Sequence, residues 1–344
     1  MKTSALLLFL SMLLPPRAMT QKVNLPCELP KIAVAGDGSG VWVVCWRNWS
    51  AIRKARDAAL PPPSPYERPS DVYWIANATG SPEKITDSDT DIRVIPAPSG
   101  SQSVIVVSRK SGAGRVLLYN RRQKVRELAV DPSFLLWAAD AQRLYFYGGT
   151  TIQADPWNVL GIYNLSNGSV RRETLREPTE ILRVCPATGE VYSVTPQYAN
   201  FPGNTDEYTA DIQFVRQIHG WVGARFSARC TFVASESDFH GPLPWTIYDT
   251  RSGERLLQFS AEDGDTKKDA YSLVAWNPKH DSVLLREHFS KKGERLLEVF
   301  DVVSGRVLET FPRADGAAWS VDGVNIIIAD RNSLVWHPLK SHDN

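Results

Sequence analysis

The chain has 344 residues and carries 39 Lys and Arg against 38 Asp and Glu. So even a balance exerts no general pull on nucleic acid or on an anionic membrane, and neither is an expected partner. Past the first twenty residues no apolar run approaches the eighteen or so that cross a bilayer, and 34 aromatic residues are enough to fill a sizeable core.

The N-terminus reads as an export signal. Lys2 supplies the positive start, residues 5–14 form the apolar stretch, and Pro15, Pro16 and Arg17 end it. Cleavage after Ala18 or Thr20 would leave a secreted or periplasmic chain, 21–344, read as one domain. Without cleavage the segment would serve as a signal anchor. Next comes a short strand at Lys22-Val23-Asn24-Leu25, then a turn at 36–40. Residues 51–60 have the composition of a short basic helix, ended by Pro61-Pro62-Pro63.

From there one phrase returns seven times. It is two apolar residues, a polar residue, a variable stretch, then a small residue and Gly. The clear copies are Ile162-Tyr163-Asn164-Leu165-Ser166-Asn167-Gly168, Ile247-Tyr248-Asp249-Thr250-Arg251-Ser252-Gly253 and Val299-Phe300-Asp301-Val302-Val303-Ser304-Gly305. Weaker copies end at Gly80, Lys124, Gly220 and Ser341, so the mean period from Gly80 to Ser341 is 43.5 residues. Each copy has upstream partners, as in Ala317-Ala318-Trp319-Ser320-Val321-Asp322-Gly323 followed by Asn325-Ile326-Ile327-Ile328. Asp-Gly makes a tight turn because Asp bonds nearby backbone and Gly accepts a positive φ. A unit therefore reads as strand A, tight turn, strand B, loop, strand C, Ser-Gly turn, strand D.

A period in the forties built from four short strands predicts an all-β, seven-bladed β-propeller of four-stranded antiparallel blades. The seventh unit lacks a strand D. Residues 22–26 are expected to supply it by pairing near Leu334 to Trp336, which closes the ring. Trp137, Trp276 and Trp319 are expected to be buried at equivalent blade positions.

Four cysteines follow the leader, and an even count in an exported chain suggests two disulfides, with buried thiols the alternative. Three connectivities exist. Repeat geometry favours Cys27–Cys45, which would pin the closing segment to the first blade. It also favours Cys185–Cys230, which occupy matching places in adjacent blades.

Trp319, Asp322 and Gly323, with Asp301, Ser304 and Gly305 in the unit before, resemble the TolB-type, WD-repeat-like propeller family. The resemblance covers most of the chain in period and three or four units in residues. It implies a fold and a tendency toward periplasmic or secreted protein binding. It brings no catalytic residue, since the family's motif residues are structural.

Function is less legible. The B–C loops read as long at 47–70, 148–158, 195–210, 235–243 and 286–293, and long loops on a rigid scaffold are common carriers of function. Their residues Trp157, Tyr198, Phe201, Tyr208, Asp238, Phe239 and His240, with Trp245 just after, form the expected binding surface. The competing reading is that the aromatics tuck back onto their own blades. Acids stand before strand A in five units, at Asp91, Asp131, Glu180, Asp269 and Asp315. If they ring the channel mouth, they would bind Ca2+ or another hard cation and give that face a negative centre. Otherwise they cap turns and face solvent. No G-x-S-x-G elbow, H-E-x-x-H helix or sialidase box occurs. The first functional expectation is thus a monomeric, non-catalytic scaffold without a cofactor, holding a protein or peptide on its long-loop face. The alternative is a cation-dependent lactonase or esterase at the channel mouth.

Overall fold

A computed structural model describes residues 21–339 except 29, 59–62, 110–113, 131–133, 148–157, 178, 180, 195–203, 220, 237–244, 260–268, 291–293 and 313. Seven four-stranded antiparallel sheets form a ring, a seven-bladed β-propeller. In each sheet strand A lines the channel and strand D faces outward. Blade 6 shows the plan in Ala270–Trp276, Val283–Phe289, Arg295–Asp301 and Arg306–Pro312. Its strand C is buried along its centre, whereas its strand D is largely exposed with Phe311 buried. An outer strand with one wet face must alternate in this way. Among the described residues the α-helix is the short Trp49–Asp57, and no helix is long and apolar enough to cross a membrane.

The ring closes as the repeat count requires. Gly316–Trp319, Asn325–Asp330 and Ser333–Pro338 form the first three strands of blade 7, and Gln21–Asn24 is the fourth. Gln21 stands opposite Trp336 and Val23 opposite Leu334. The Leu25 N–H donates to the Asn332 carbonyl at 2.6 Å. Val23 and Leu25 are buried with Ile327, Ala329 and Leu334. Cys27 is bonded to Cys45 of blade 1, and Cys185 of blade 4 to Cys230 of blade 5. The first disulfide thus holds the closing segment on the blade it borders, and the second staples two neighbouring blades.

Indoles tie the blades around the channel. The Nε1–H groups of Trp137, Trp276 and Trp319 donate to the carbonyls of Ile95, Arg225 and Ala275, each on strand A of the preceding blade. Arg183 and Arg225 reach the other way, to the carbonyls of Ala224 and Leu273 in the next blade. The inner edge of strand A has no ladder partner, so its carbonyls need such donors. Trp137 and Trp319 are buried as expected, but Trp276 is only half-buried against Phe232 and its cluster.

Every A–B turn is five or six residues long. Gly323 takes the positive φ of 72° that the last one requires. In the third and fifth blades Ala141 and Cys230 adopt φ of 55° and 58° at the same step. A non-Gly residue there hides the turn from the sequence. The fourth unit needs correcting. The phrase ending at Gly220 falls on strand D, Phe214–His219, while strand C is Asn204–Tyr208. In the sequence that strand C falls within the expected long loop 195–210. Likewise 286–289 belongs to strand B of blade 6.

The Asp-x-x-Ser-Gly turns earn their place through the carboxylate. Asp301 accepts hydrogen bonds from the Val303 N–H at 3.1 Å and the Ser304 hydroxyl at 2.8 Å. Partial burial pushes its pKa up, but the hydroxyls of Ser304 and Ser282 and the backbone N–H groups outweigh that and hold it below the usual carboxylate value. A depressed folded pKa adds stability that is present above the unfolded value near 3.9 and is lost as pH falls through the folded value. Asp301→Asn should therefore be less stable than the wild type by about 1 kcal/mol at pH 7. Urea titrations should show that gap closing below about pH 4. A gap independent of pH would refute the role given to the charge.

Candidate functional site

Strands A start, and B–C loops emerge, on one face of the ring. Residues at the start of three A strands enclose a cavity of about 370 Å3 at that mouth of the channel. Its wall comes from Lys31 and Ile32 of blade 1, Arg93 and Val94 of blade 2, and Asp315 and Gly316 of blade 7. Lys31 and Arg93 stand at equivalent steps. Each lies four residues before the residue that opens its A–B turn, Ala35 or Ala97. The repeat therefore brings two cations side by side into the cavity.

Behind them lies Asp91, with a largely buried side chain. It accepts from the Trp46 indole Nε1–H at 2.8 Å, and its other oxygen is 3.6 Å from Lys31 Nζ and 4.0 Å from Arg68 Nη1. The Lys31 ammonium also sits 4.3 Å above the Trp46 ring, with the Arg68 guanidinium at 5.5 Å. Burial pulls the Lys31 amine below its usual pKa and Asp91 only partly restores it. Arg93 is shifted in the same direction for the same reasons. Across the cavity Asp315 accepts from the Arg331 N–H at 3.0 Å.

The helix Trp49–Asp57 lies in the B–C connection of blade 1, on this same face. Arg53 reaches Glu28 at 2.9 Å, and Ile52 is buried. The helix is thus tied down beside the closing segment, and Tyr66 just beyond it is exposed. The opposite face carries the tight A–B and C–D turns.

A second charged group is buried between blades 5 and 6. Arg286 and Glu298, both nearly inaccessible, pair at 2.8 Å. The guanidinium lies within 4.0–4.8 Å of the ring centroids of Phe300, Tyr271 and Phe259. The second oxygen of Glu298 meets His288 Nδ1 at 2.8 Å, and His288 Nε2 is 3.6 Å from Asp269. His288 thus has a carboxylate near each of its ring nitrogens.

Trp157, Tyr198, Phe201, Asp238, Phe239, His240, Asp131 and Glu180 lie outside the described residues. Two expected binding residues are corrected. Tyr208 is 2% exposed, inside strand C of blade 4. Its hydroxyl accepts the Arg176 N–H at 2.9 Å, and burial pushes its pKa up to about 12. Trp245 is 7% exposed at the start of strand C of blade 5, under the Arg225 guanidinium. Both rings face the core because each begins or ends a strand that the loop reading cut short.

The described acids do not share a register. Asp91 stands six residues before Ala97, and Asp315 five before Ser320, where their A–B turns open. They bond internal donors and do not converge. Among the described residues no group of three or more His, Cys, Asp or Glu could hold a metal ion. Beside the described acids Asp91 and Asp315 stand the cations Lys31, Arg68 and Arg93, on which the sequence reading is silent. Their signal was present, since Lys31 and Arg93 fall at one repeat position. It was masked because strand A elsewhere puts apolar residues or Gly there.

No family model matches the chain, and no curated protein matches it. Solved structures do. A hydrazine synthase chain of Kuenenia stuttgartiensis is similar at 13% identity and TM-score 0.57, over 94% of this chain and 99% of that one. A chain of a mitotic checkpoint complex is similar at 12% identity and TM-score 0.57, over 93% and 95%. The dihydro-heme d1 dehydrogenase NirN is similar at 12% identity and TM-score 0.53, over 90% of this chain and 64% of that one. At such identities the likeness is one of fold, and propellers host unrelated functions.

Proposed function

We propose that this chain is an exported, TolB-like propeller scaffold that holds a protein or peptide partner on its long-loop face. One observation carries the reading, the asymmetry between the faces. One face is closed by A–B turns of five or six residues, while the other bears the helix-containing connection of blade 1 and the mouth cavity. Rigid short turns leave little to vary, whereas long connections on a fixed ring make adaptable contact surface. The leader and the two disulfides support export, because disulfides persist in oxidising compartments.

Cross-linked capture from the extracellular or periplasmic fraction of the producing cells tests this. A partner recovered by the wild type should be kept by Arg251→Glu, on a short turn, and lost when 49–58 is replaced by a Gly-Ser linker. The reverse pattern overturns the reading. Calcium added to the same protein tests the cation-dependent hydrolase. A stabilising shift that disappears in Asp315→Asn would favour the hydrolase, and the scaffold reading expects none.

A further inference from the structure

We infer that a cleft between blades 4 and 5 is a binding site for a neutral sugar ring, with Trp221, Tyr248 and Arg251 as the groups that take its hydroxyl oxygens. The site is separate from the mouth cavity and does not depend on a partner docking at the long-loop face.

The cleft measures about 170 Å3, below the range of drug-sized pockets and enough for a single six-membered ring. Arg216 and Ile218, on strand D of blade 4, form one side. Tyr248 near the end of strand C of blade 5, with Thr250 and Arg251 in the turn after it, forms the other. Trp221 closes the floor from the connection between the blades. Trp221, Tyr248 and Ile218 belong to the cluster that contains the Cys185–Cys230 disulfide. The staple therefore fixes the width of the cleft before a ligand arrives, and binding has little left to order.

Three donors in the cleft have nothing to bond. Trp221 is 3% exposed, yet its indole N–H meets no acceptor among the described residues. Among the same residues the Tyr248 hydroxyl makes no hydrogen bond. The Arg251 guanidinium makes neither a hydrogen bond nor a salt bridge there, and feels only the general attraction of Asp249. A buried indole N–H ordinarily finds an oxygen, so these donors mark a place for one.

Charge does not choose the ligand. Arg216 is held by Glu207 at 2.6 Å. Arg251 is balanced by Asp249, which accepts from the Ser252 N–H at 2.7 Å and the Ser252 hydroxyl at 3.0 Å. An anion finds no surplus of positive charge here, and a cation would face two guanidiniums. A sugar ring fits what remains. Its hydroxyl oxygens accept from the three donors, its hydroxyl hydrogens turn to the oxygens of Tyr248 and Thr250, and its C–H face lies against Ile218 and the rings.

The test uses the full chain and four neutral probes, the methyl glycosides of glucose, galactose and mannose together with N-acetylglucosamine. Inorganic phosphate is the charged control, and proton–nitrogen NMR follows each titration. At least one sugar should bind and shift the indole resonance that is missing from Trp221→Phe, and phosphate should not. Sequential assignment supplies the same resonance should Trp221→Phe fail to fold. Tyr248→Phe and Arg251→Ala should each weaken that sugar about threefold or more. Lys31→Met, at the channel mouth, should leave its affinity unchanged. Added salt should matter little, because the ligand carries no charge. An unaltered melting temperature in Tyr248→Phe and Arg251→Ala separates a lost contact from a lost fold.

Failure of all four sugars to bind, binding of phosphate at the same resonance, or full affinity in both Tyr248→Phe and Arg251→Ala would each overturn the inference. Its failure is separable from that of the scaffold reading. A partner captured by the wild type and by Arg251→Ala, with no sugar bound, defeats the inference alone. Sugar bound at Trp221, in a protein that captures nothing, defeats the scaffold reading alone.

Discussion

Removing residues 21–27 together with Cys45→Ser should abolish cooperative unfolding near the wild-type melting temperature. Val23 and Leu25 lose their burial at 6% exposure each, which costs about 1.5–3 kcal/mol per side chain. The lost Cys27–Cys45 bond adds roughly 2–5 kcal/mol. The sum, roughly 5–11 kcal/mol, is comparable to the whole net stability of an ordinary domain. The strand Ser333–Pro338 is also left with an open edge along Leu334–Trp336, so the truncated chain should associate. Calorimetry and light scattering read both effects. An unchanged melting temperature would mean that Gln21–Asn24 does not close the ring.

Glu298→Ala is expected to be the most damaging single substitution among the charged residues. It strands the Arg286 guanidinium, whose side chain is 8% exposed, among Phe259, Tyr271 and Phe300. A buried charge without its partner costs about 3–5 kcal/mol. Replacing both partners by apolar residues, as in Arg286→Met with Glu298→Leu, should recover most of that, since neither charge is then left alone. Urea unfolding of the two single variants and the double one decides it. A loss below about 1 kcal/mol in Glu298→Ala would show that the rings alone hold the guanidinium.

The ring was legible in the sequence because each blade repeats its physics. Asp301 and Ser304 bond the same turn that Asp249 and Ser252 bond one blade earlier in the ring. Where a blade reached the same end by other means, the signal faded. Strand C of blade 4 is Asn204–Tyr208, and its Thr205, Asp206 and Glu207 are buried. Polar residues in a core strand look like loop. They are satisfied here by the Trp221 carbonyl, the Gln217 amide and the Arg216 guanidinium, which come within reach only once the next strand has folded back. The same cause misplaced Tyr208 on a binding surface.

The candidate site was harder still. Acids before strand A suggested a negative mouth, but charge at a mouth depends on which groups converge. Asp91 is taken up by Trp46, Lys31 and Arg68, whose convergence depends on blade 1 lying beside blade 2. Counting acids along the chain cannot register that neutralisation. The cations at Lys31 and Arg93 were visible as a repeat position, and only the ring shows that both line one cavity.

The closing strand also sets an order of events for the growing polypeptide. Val23 pairs with Leu334, so a segment translated near the beginning waits for one translated near the end. At about 5–20 residues per second the wait is roughly 15–60 s. Throughout that time both edges of the unfinished ring are unpaired, and the final contact is as non-local as the chain permits. The Cys27–Cys45 bond spans only 18 residues, so it can form early in an oxidising compartment. It would park the first strand beside blade 1, where blade 7 must later arrive. On this view the disulfide works first as a placeholder in assembly, and only afterwards as a brace of the finished molecule.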